Sequence, residues 1–385
     1  MTGEPDLETI GQNFQLKGRF SQAVKVNSGH IHDTYVSRQE TATGSVRYVH
    51  QRLNTQVFKD PEKLMKNIER VTAFARQQIL RTGGDPDRET LTLIPTRDGL
   101  TFYKTPRGEY WRTYAYIDGA HTYEVTENLR HIYSAARSFG NFQRLLDCLP
   151  GERLFETIPN FHHTRKRYEA FEQAVEADVA RRVGEVGAEI DFMRQHAADT
   201  GVIVDLLAQG ELPERITHND TKLNNVLIDD HTGEGICVID LDTIMPGCAL
   251  YDFGDLVRMG AATAVEDETD LSEVGLDLTH FEWLVRGYLD AVCGFLTPAE
   301  WAYLTFSARL ITLEQGMRFL TDYLNGDTYY KVKHIRHNLD RCRNQIKMVS
   351  DMERKKDAME AVIKRYRVMP CPSPFDLKKR PFPSC

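Results

Sequence analysis

The stretch RITHNDTKLNNVLIDDHTGEGICVIDLD, residues 215–242, decides how the chain is read. It divides into a strand that ends at His218, a loop that carries Asp220, and two short apolar runs, NVLID (225–229) and GICVID (235–240). The five residues between them contain a glycine, which is a hairpin pattern. Centring the turn on Thr232 and Gly233 sets Asn225 opposite Asp240 at the open end, where facing Cα atoms lie about 4.5–5.5 Å apart. An amide oxygen and a carboxylate then meet beside the loop of Asp220, and all three groups are hard oxygen donors of the kind Mg2+ accepts. Strand alternation points Asp242 the same way, as a further metal ligand or as a partner to one.

The spacing His218-x-Asp220-x4-Asn225, with Asp240 downstream, follows the logic of a kinase catalytic loop. In such loops an aspartate takes the proton of the attacking hydroxyl, an asparagine holds a metal, and a later aspartate holds the metal that bridges the nucleotide phosphates. His218 is expected to be structural, bonding to the loop backbone. Downstream, residues 252–254 spell DFG, the triplet that holds the metal in protein kinases. Here the triplet follows a chain reversal at MPG and opens a helix, so it is read as a decoy. Asp252 is expected to cap that helix or brace the loop, and Asp255 to be a surface charge or a neighbour of the site.

Working outward, the N-terminal third reads as short strands (SQAVKVNSG, HDTYVSR, SVRYVHQRL, TLTLIPT, LTFYKT, EYWRTYAYI). One helix interrupts them, with Asp60 as its cap and Pro61 at its first position. From Asn128 helical periodicity dominates, with Leu129, Ile132, Tyr133, Ala136, Phe139, Phe142 and Leu146 on one face. The expected organisation is an α+β chain of two lobes. A small N-terminal sheet lobe with one main helix spans 1–113, a hinge 114–119, a large and mostly helical C-terminal lobe 120–369, and a proline-rich tail 370–385.

At 385 residues the chain exceeds a single compact core. Its net charge of −8, without a basic run, argues against nucleic acid as a partner. No apolar run approaches the roughly 20 residues that span a bilayer, and the N-terminus lacks a secretory pattern. The seven cysteines form no CxxC pair and read as reduced packing residues, so a cytoplasmic protein without disulfide or zinc is expected.

These residues resemble the aminoglycoside phosphotransferase and choline kinase superfamily, built on the protein-kinase-like fold. The blocks HNDTKLNN and GMRFLTDYLNGDTYYK look most similar to the N-acetylhexosamine 1-kinases. The resemblance implies Mg2+-dependent transfer from ATP to the anomeric hydroxyl of N-acetylglucosamine or N-acetylgalactosamine. It makes Asp220 the base, Asn225 and Asp240 metal ligands, and Arg318 and Tyr329 sugar contacts, with no membrane partner. It also implies a phosphate-covering turn at Gly29, which an Asx-type bond from Asp33 could fix, while His30 and His32 are as readily solvent-facing as part of it. Tyr114 to Tyr116 would lend backbone groups to the adenine edge. The strand that should carry the phosphate-binding lysine has none. Gln51 fills that slot with Arg52 beside it, and Glu69 (or Glu62) is the expected acid on the helix. Two alternatives stay open, a kinase of another small hydroxyl compound such as choline or an aminoglycoside, and a pseudokinase that only binds nucleotide.

Overall fold

The computed structural model describes residues 5–26, 31–124 and 126–367. Helix α1 (Leu7–Gly11) precedes three antiparallel strands, β1 (Arg19–Val26), β2 (Asp33–Thr41) and β3 (Gly44–Arg52). Then come α2 (Pro61–Arg81), the short α3 (Pro86–Glu89), β4 (Tyr103–Lys104) and β5 (Tyr110–Ala115). The five strands form one sheet in the order β1-β2-β3-β5-β4. Helix α2 starts where the sequence places it. Asp60 accepts the Lys63 amide and Pro61 fills a first-turn position that needs no N–H donor. Leu64, Met65, Ile68 and Val71 recur at helical spacing and are fully buried.

Two expected strands are not regular ones. TLTLIPT makes only isolated bridges, Leu93 to Tyr114 and Phe14 to Thr96, and LTFYKT contributes two residues, β4. Strand β5 runs to Ala115, two residues into the expected hinge, and the chain leaves the sheet over residues 116–119.

Strand β6 (Ala120–His121) then pairs with β8 (Val226–Asp229), which pairs with β9 (Gly235–Val238), while β7 (Arg215–Thr217) pairs with β10 (Met245–Gly247). The rest is helical, comprising α4 (Leu129–Leu146), α5 (Thr164–Ala177), α6 (Gly187–Gln195), α7 (Val202–Ala208) and α8 (Ala249–Gly260). After these come α9 (Leu278–Ala291), α10 (Pro298–Leu324), α11 (His337–Arg354) and α12 (Lys356–Arg367). The 27-residue α10 is the central rod. Its start is fixed by a reciprocal Thr297–Glu300 capping box, and it buries Leu304, Ala308, Ile311 and Leu320 against its neighbours. The expected tail 370–385 lies outside the described residues.

One expectation falls here. Cys148 and Cys293 are disulfide-bonded, whereas Cys237, Cys248 and Cys342 are free and buried. The argument from reduced thiols to a cytoplasmic protein therefore loses its footing, because disulfides are rare in that compartment. Among the described residues no helix is long and apolar enough to cross a membrane.

Candidate active site

Strand β7 delivers the chain to His218, and the loop that follows is held through its backbone. Asp252, in the first turn of α8, accepts the amides of His218 (3.0 Å) and Asn219 (2.7 Å) and also Gln143 Nε2 (2.6 Å). Asp255, one turn on, accepts the Thr221 amide at 2.8 Å and pairs with Arg258. Asp255 is thus a buried brace and not a surface charge. The DFG triplet has a structural explanation throughout. Asp252 holds the loop and Phe253 is fully buried. At Gly254 a Cβ atom would sit 2.6 Å from the Ser307 carbonyl oxygen of α10. A side chain there would push the two helices apart.

His218 donates from Nε2 to the Ile239 carbonyl (2.9 Å) and accepts the Asp220 amide at Nδ1 (3.2 Å), tying the loop to the hairpin. Asn219 takes the left-handed conformation (φ 65°), and its side chain bridges the carbonyls of Thr217 and Thr243. This turn lifts Asp220, partly exposed, out of the buried loop. Its carboxylate receives Asn225 Nδ2 (3.2 Å) and Lys222 Nζ (3.0 Å). Burial opposes ionisation of Asp220, but Lys222, His218 and Arg258 outweigh it and hold the carboxyl below its usual range. Lys222 stands inside the quoted motif, two residues after the aspartate, and the sequence reading passed over it.

The hairpin register differs from the expected one by a residue. Val226 faces Val238, so Asn225 meets Ile239 and its carbonyl accepts the Ile239 amide (2.9 Å). A bulge at Leu227/Ile228 separates this pairing from that nearer the turn, where Ile228 faces Gly235 and the difference is two residues. Asp240 falls just past the ladder in the left-handed conformation (φ 58°), which re-aims its side chain away from the strand direction. It is solvent-accessible yet ringed by protein, and makes no ion pair among the described residues. Enclosure by the protein, then the carboxylates of Asp242 and Asp220, push its carboxyl well above the usual range. A divalent cation would relieve that repulsion. Asn225 Oδ1 has no hydrogen-bond partner among the described residues, so an amide oxygen and two carboxylates fit such an ion. No group of three or more His, Cys, Asp or Glu side chains forms a metal cage among the described residues. A metal here would need oxygens from a bound phosphate.

Asp242 is not free in the same way. Arg112 grips it with both terminal nitrogens, at 2.5 and 2.6 Å, and His32 Nε2 lies 3.3 Å away. Despite burial, Arg112 and His32 hold its carboxyl well below the usual range. Of the two readings open for His32, its side chain takes the buried one. Its Nδ1 accepts the Asn54 amide, which leaves the ring proton on Nε2, toward Asp242.

The nucleotide-face expectations are mixed. Gly29 and His30 lie outside the described residues. Asp33 makes no Asx turn. It pairs with Arg52 (2.5 Å) and Lys25 (3.1 Å) across the sheet. Arg52 also binds Glu109 at 2.8 Å, so two carboxylates already neutralise it. Gln51 faces Arg112 across β3 and β5 and accepts from its Nε at 2.9 Å. Glu69 is exposed on the outer side of α2 and reaches neither Gln51 nor Arg52, and Glu62 is also exposed. The inward residue of α2 is Asn67, which donates to the carbonyls of Phe155 and Ile244. Tyr114 is buried with an unpartnered hydroxyl, while Tyr116 lies under the Arg47 guanidinium. The amides of Ala115 and Tyr116 donate to Thr92 and Arg47, so neither is free for an adenine edge.

On the helical side, Arg318 is half-buried over Phe161 (4.9 Å), donates to Gln315 (2.9 Å) and has no carboxylate partner among the described residues. Tyr329 is half exposed and stacks edge-on against Tyr330. Asp322, which the sequence reading missed, accepts the amides of Thr328, Tyr329 and Tyr330 and so orders the turn that carries both tyrosines.

A small antiparallel sheet joined to a helical body, with an Asp-loop-Asn-hairpin-Asp site at the base of the body, is the kinase-like phosphotransferase arrangement. The model of the phosphotransferase enzyme family APH matches residues 23–283, and the chain belongs to that family. Among solved structures it resembles a microcompartment-associated aminopropanol kinase (TM-score 0.54, 16% identity, covering 91% of this chain and 98% of that one). It also resembles an aminoglycoside phosphotransferase from Alicyclobacillus acidocaldarius (TM-score 0.57, 12% identity, 95% and 97% covered). A third likeness is to the amicoumacin kinase hAmiN in complex with AMP-PNP and Ca2+ (TM-score 0.57, 12% identity, 91% and 95% covered). At these identities the likeness is one of fold.

Proposed function

We propose that the protein is an ATP-dependent kinase that phosphorylates the anomeric hydroxyl of an N-acetylhexosamine, giving the sugar 1-phosphate. Asp220 is the base. Its partners Lys222 and Asn225 keep it ionised and aimed, so it can orient a hydroxyl and take its proton as the new bond forms. Asn225 and Asp240 would hold Mg2+, which offsets charge on the transferring phosphoryl group when bound. The braces from Asp252 and Asp255 keep the loop in place before substrate arrives, and positioning of this kind supplies much of the rate in phosphoryl transfer.

The observation that carries the reading is Asp220, partly exposed on a backbone-clamped loop and bonded by Lys222 and Asn225, with Asp240 nearby. The acceptor side favours a neutral sugar over a cation. Arg318 and Arg167 stand near Phe161, Tyr329 and Tyr330, and neither makes a direct ion pair among the described residues, the buried Glu314 acting on both at longer range. Choline or a polyamine-like aminoglycoside would meet like charge there, whereas guanidinium and phenol donors suit hydroxyl and acetamido oxygens. The test is an acceptor panel (N-acetylglucosamine, N-acetylgalactosamine, choline, kanamycin, homoserine) with ATP and Mg2+, read by anomeric-proton NMR. Phosphorylation at O1 of an N-acetylhexosamine is expected. Turnover of a cationic acceptor alone would replace this reading, and ATP binding without any transfer would favour the nucleotide-binding alternative.

A further inference from the structure

Kinase-like folds tie the small lobe to the nucleotide with a lysine on the third strand, paired to an acid on the helix. Here β3 offers Gln51 and α2 offers no inward acid, so both halves of that pair are missing. One row of the sheet runs through Thr34, Gln51 and Arg112, which face one another across β2, β3 and β5. The row is hydrogen-bonded along its length, from Gln51 Nε2 to Thr34 Oγ1 (3.2 Å) and from Arg112 Nε to Gln51 Oε1 (2.9 Å). It ends in the two-pronged grip of Arg112 on Asp242, with both side chains at most 4% exposed. The loop that holds Asp242 begins at Asp240 and is fixed by its backbone on the other side. Thr157 Oγ1 donates to the Asp242 carbonyl (2.9 Å), and Asn67 to that of Ile244 (3.0 Å).

We propose that Arg112 is a positioning residue that takes over the work of the absent strand–helix ion pair. By anchoring Asp242, it holds Asp240 in place against the small sheet, where its carboxylate would help hold a phosphate-bound metal. Asp242 is on this account an anchor and not a metal ligand, and Gln51 is the spacer that keeps Arg112 straight. A guanidinium is suited to the task because its planar fork matches a carboxylate two-to-two, which a lysine cannot do. The proposal rests on the phosphotransferase reading of Asp240 but not on which acceptor is used.

The test compares ATP binding by calorimetry in excess Mg2+ and in EDTA, for the wild type, Arg112→Met, Asp242→Asn, the double variant and Arg112→Lys. Removing only one partner leaves a buried charge uncompensated and can unfold the chain. The double variant removes both charges and keeps the protein measurable, with thermal melting recorded alongside. The expected result is that the gain in affinity conferred by Mg2+ falls about tenfold or more in each single variant and stays low in the double. Binding in EDTA should change by less than about threefold, and melting should recover in the double. Arg112→Lys should be intermediate. If the double variant regains the full Mg2+ increment, Arg112 is only a structural support and the proposal fails. A wild type that gains nothing from Mg2+ would instead sink the metal site itself, a separate outcome.

Discussion

Around Asp220 the loop is fixed chiefly by carboxylates that take backbone amides, Asp252 and Asp255 of the helix packed behind it, with His162 on the Asn219 carbonyl. The small sheet is held differently, by side chain meeting side chain, Arg112 to Asp242 in the other half of the chain and Arg52 to Asp33 and Glu109. Backbone clamping fixes a loop whatever its neighbours are, so its residues can be spelled as a compact motif. Side-chain ladders depend on register and on which strands become neighbours, and no local spacing records that.

The first way to sharpen this contrast is Asp240→Asn. It should lower the transfer rate by about 1,000-fold or more, because no other free carboxylate stands at the hairpin mouth. Next comes Asp252→Asn, which leaves the His218 and Asn219 amides facing a poorer acceptor. It should cost about 2–4 kcal/mol in denaturant unfolding and slow turnover about 10–100-fold. Arg318→Ala should then raise the acceptor KM about 10–100-fold with the ATP KM unchanged, which steady-state kinetics would read.

The sheet supplies a smaller, pH-dependent effect. His50 is buried between Ser37 Oγ (2.7 Å) and Thr113 Oγ1 (2.9 Å), and burial lowers its pKa to about 4. The unfolded chain takes up a proton near pH 6.5 that the folded chain refuses until about 4. Stability contributed by neutral His50 is therefore complete above pH 6.5 and declines as pH falls toward 4, by about 3 kcal/mol at most. Urea unfolding of His50→Gln at pH 7 and pH 5 should show a flatter slope than the wild type. Smallest of all, Glu69→Ala should stay within about 0.5 kcal/mol and about twofold in activity, since its side chain faces outward.

The legible part of the molecule follows the same division. The grouping of Asp220, Asn225 and Asp240 at one hairpin mouth, the Asp60–Pro61 helix start and the placement of DFG on a helix could be read because spacing, caps and a chain reversal are local features. Even there the hairpin register slipped, because the turn closes from Asp229 to Glu234 and a bulge then shifts the pairing again, and neither leaves a mark in the residues. Arg112 sat unread inside WRTYAYI because its meaning comes from Gln51 on the next strand and Asp242 in the other half of the molecule. Lys222 stood in the motif itself and was overlooked. Asp322 acts through three amides that follow it by six to eight residues, a pattern that identifies no chemistry until the turn is folded. The cysteine reading failed because spacing rules detect metal sites and redox motifs, not a bond joining helix ends far apart in sequence.

The central claim is that one backbone-clamped carboxylate does the proton work. Rapid-quench single-turnover transfer by Asp220→Asn, with nucleotide affinity measured on the same sample, tests it most directly. The account predicts a rate reduced by about 1,000-fold or more with ATP affinity kept within about threefold. Transfer at close to the wild-type rate in a clean preparation would contradict it.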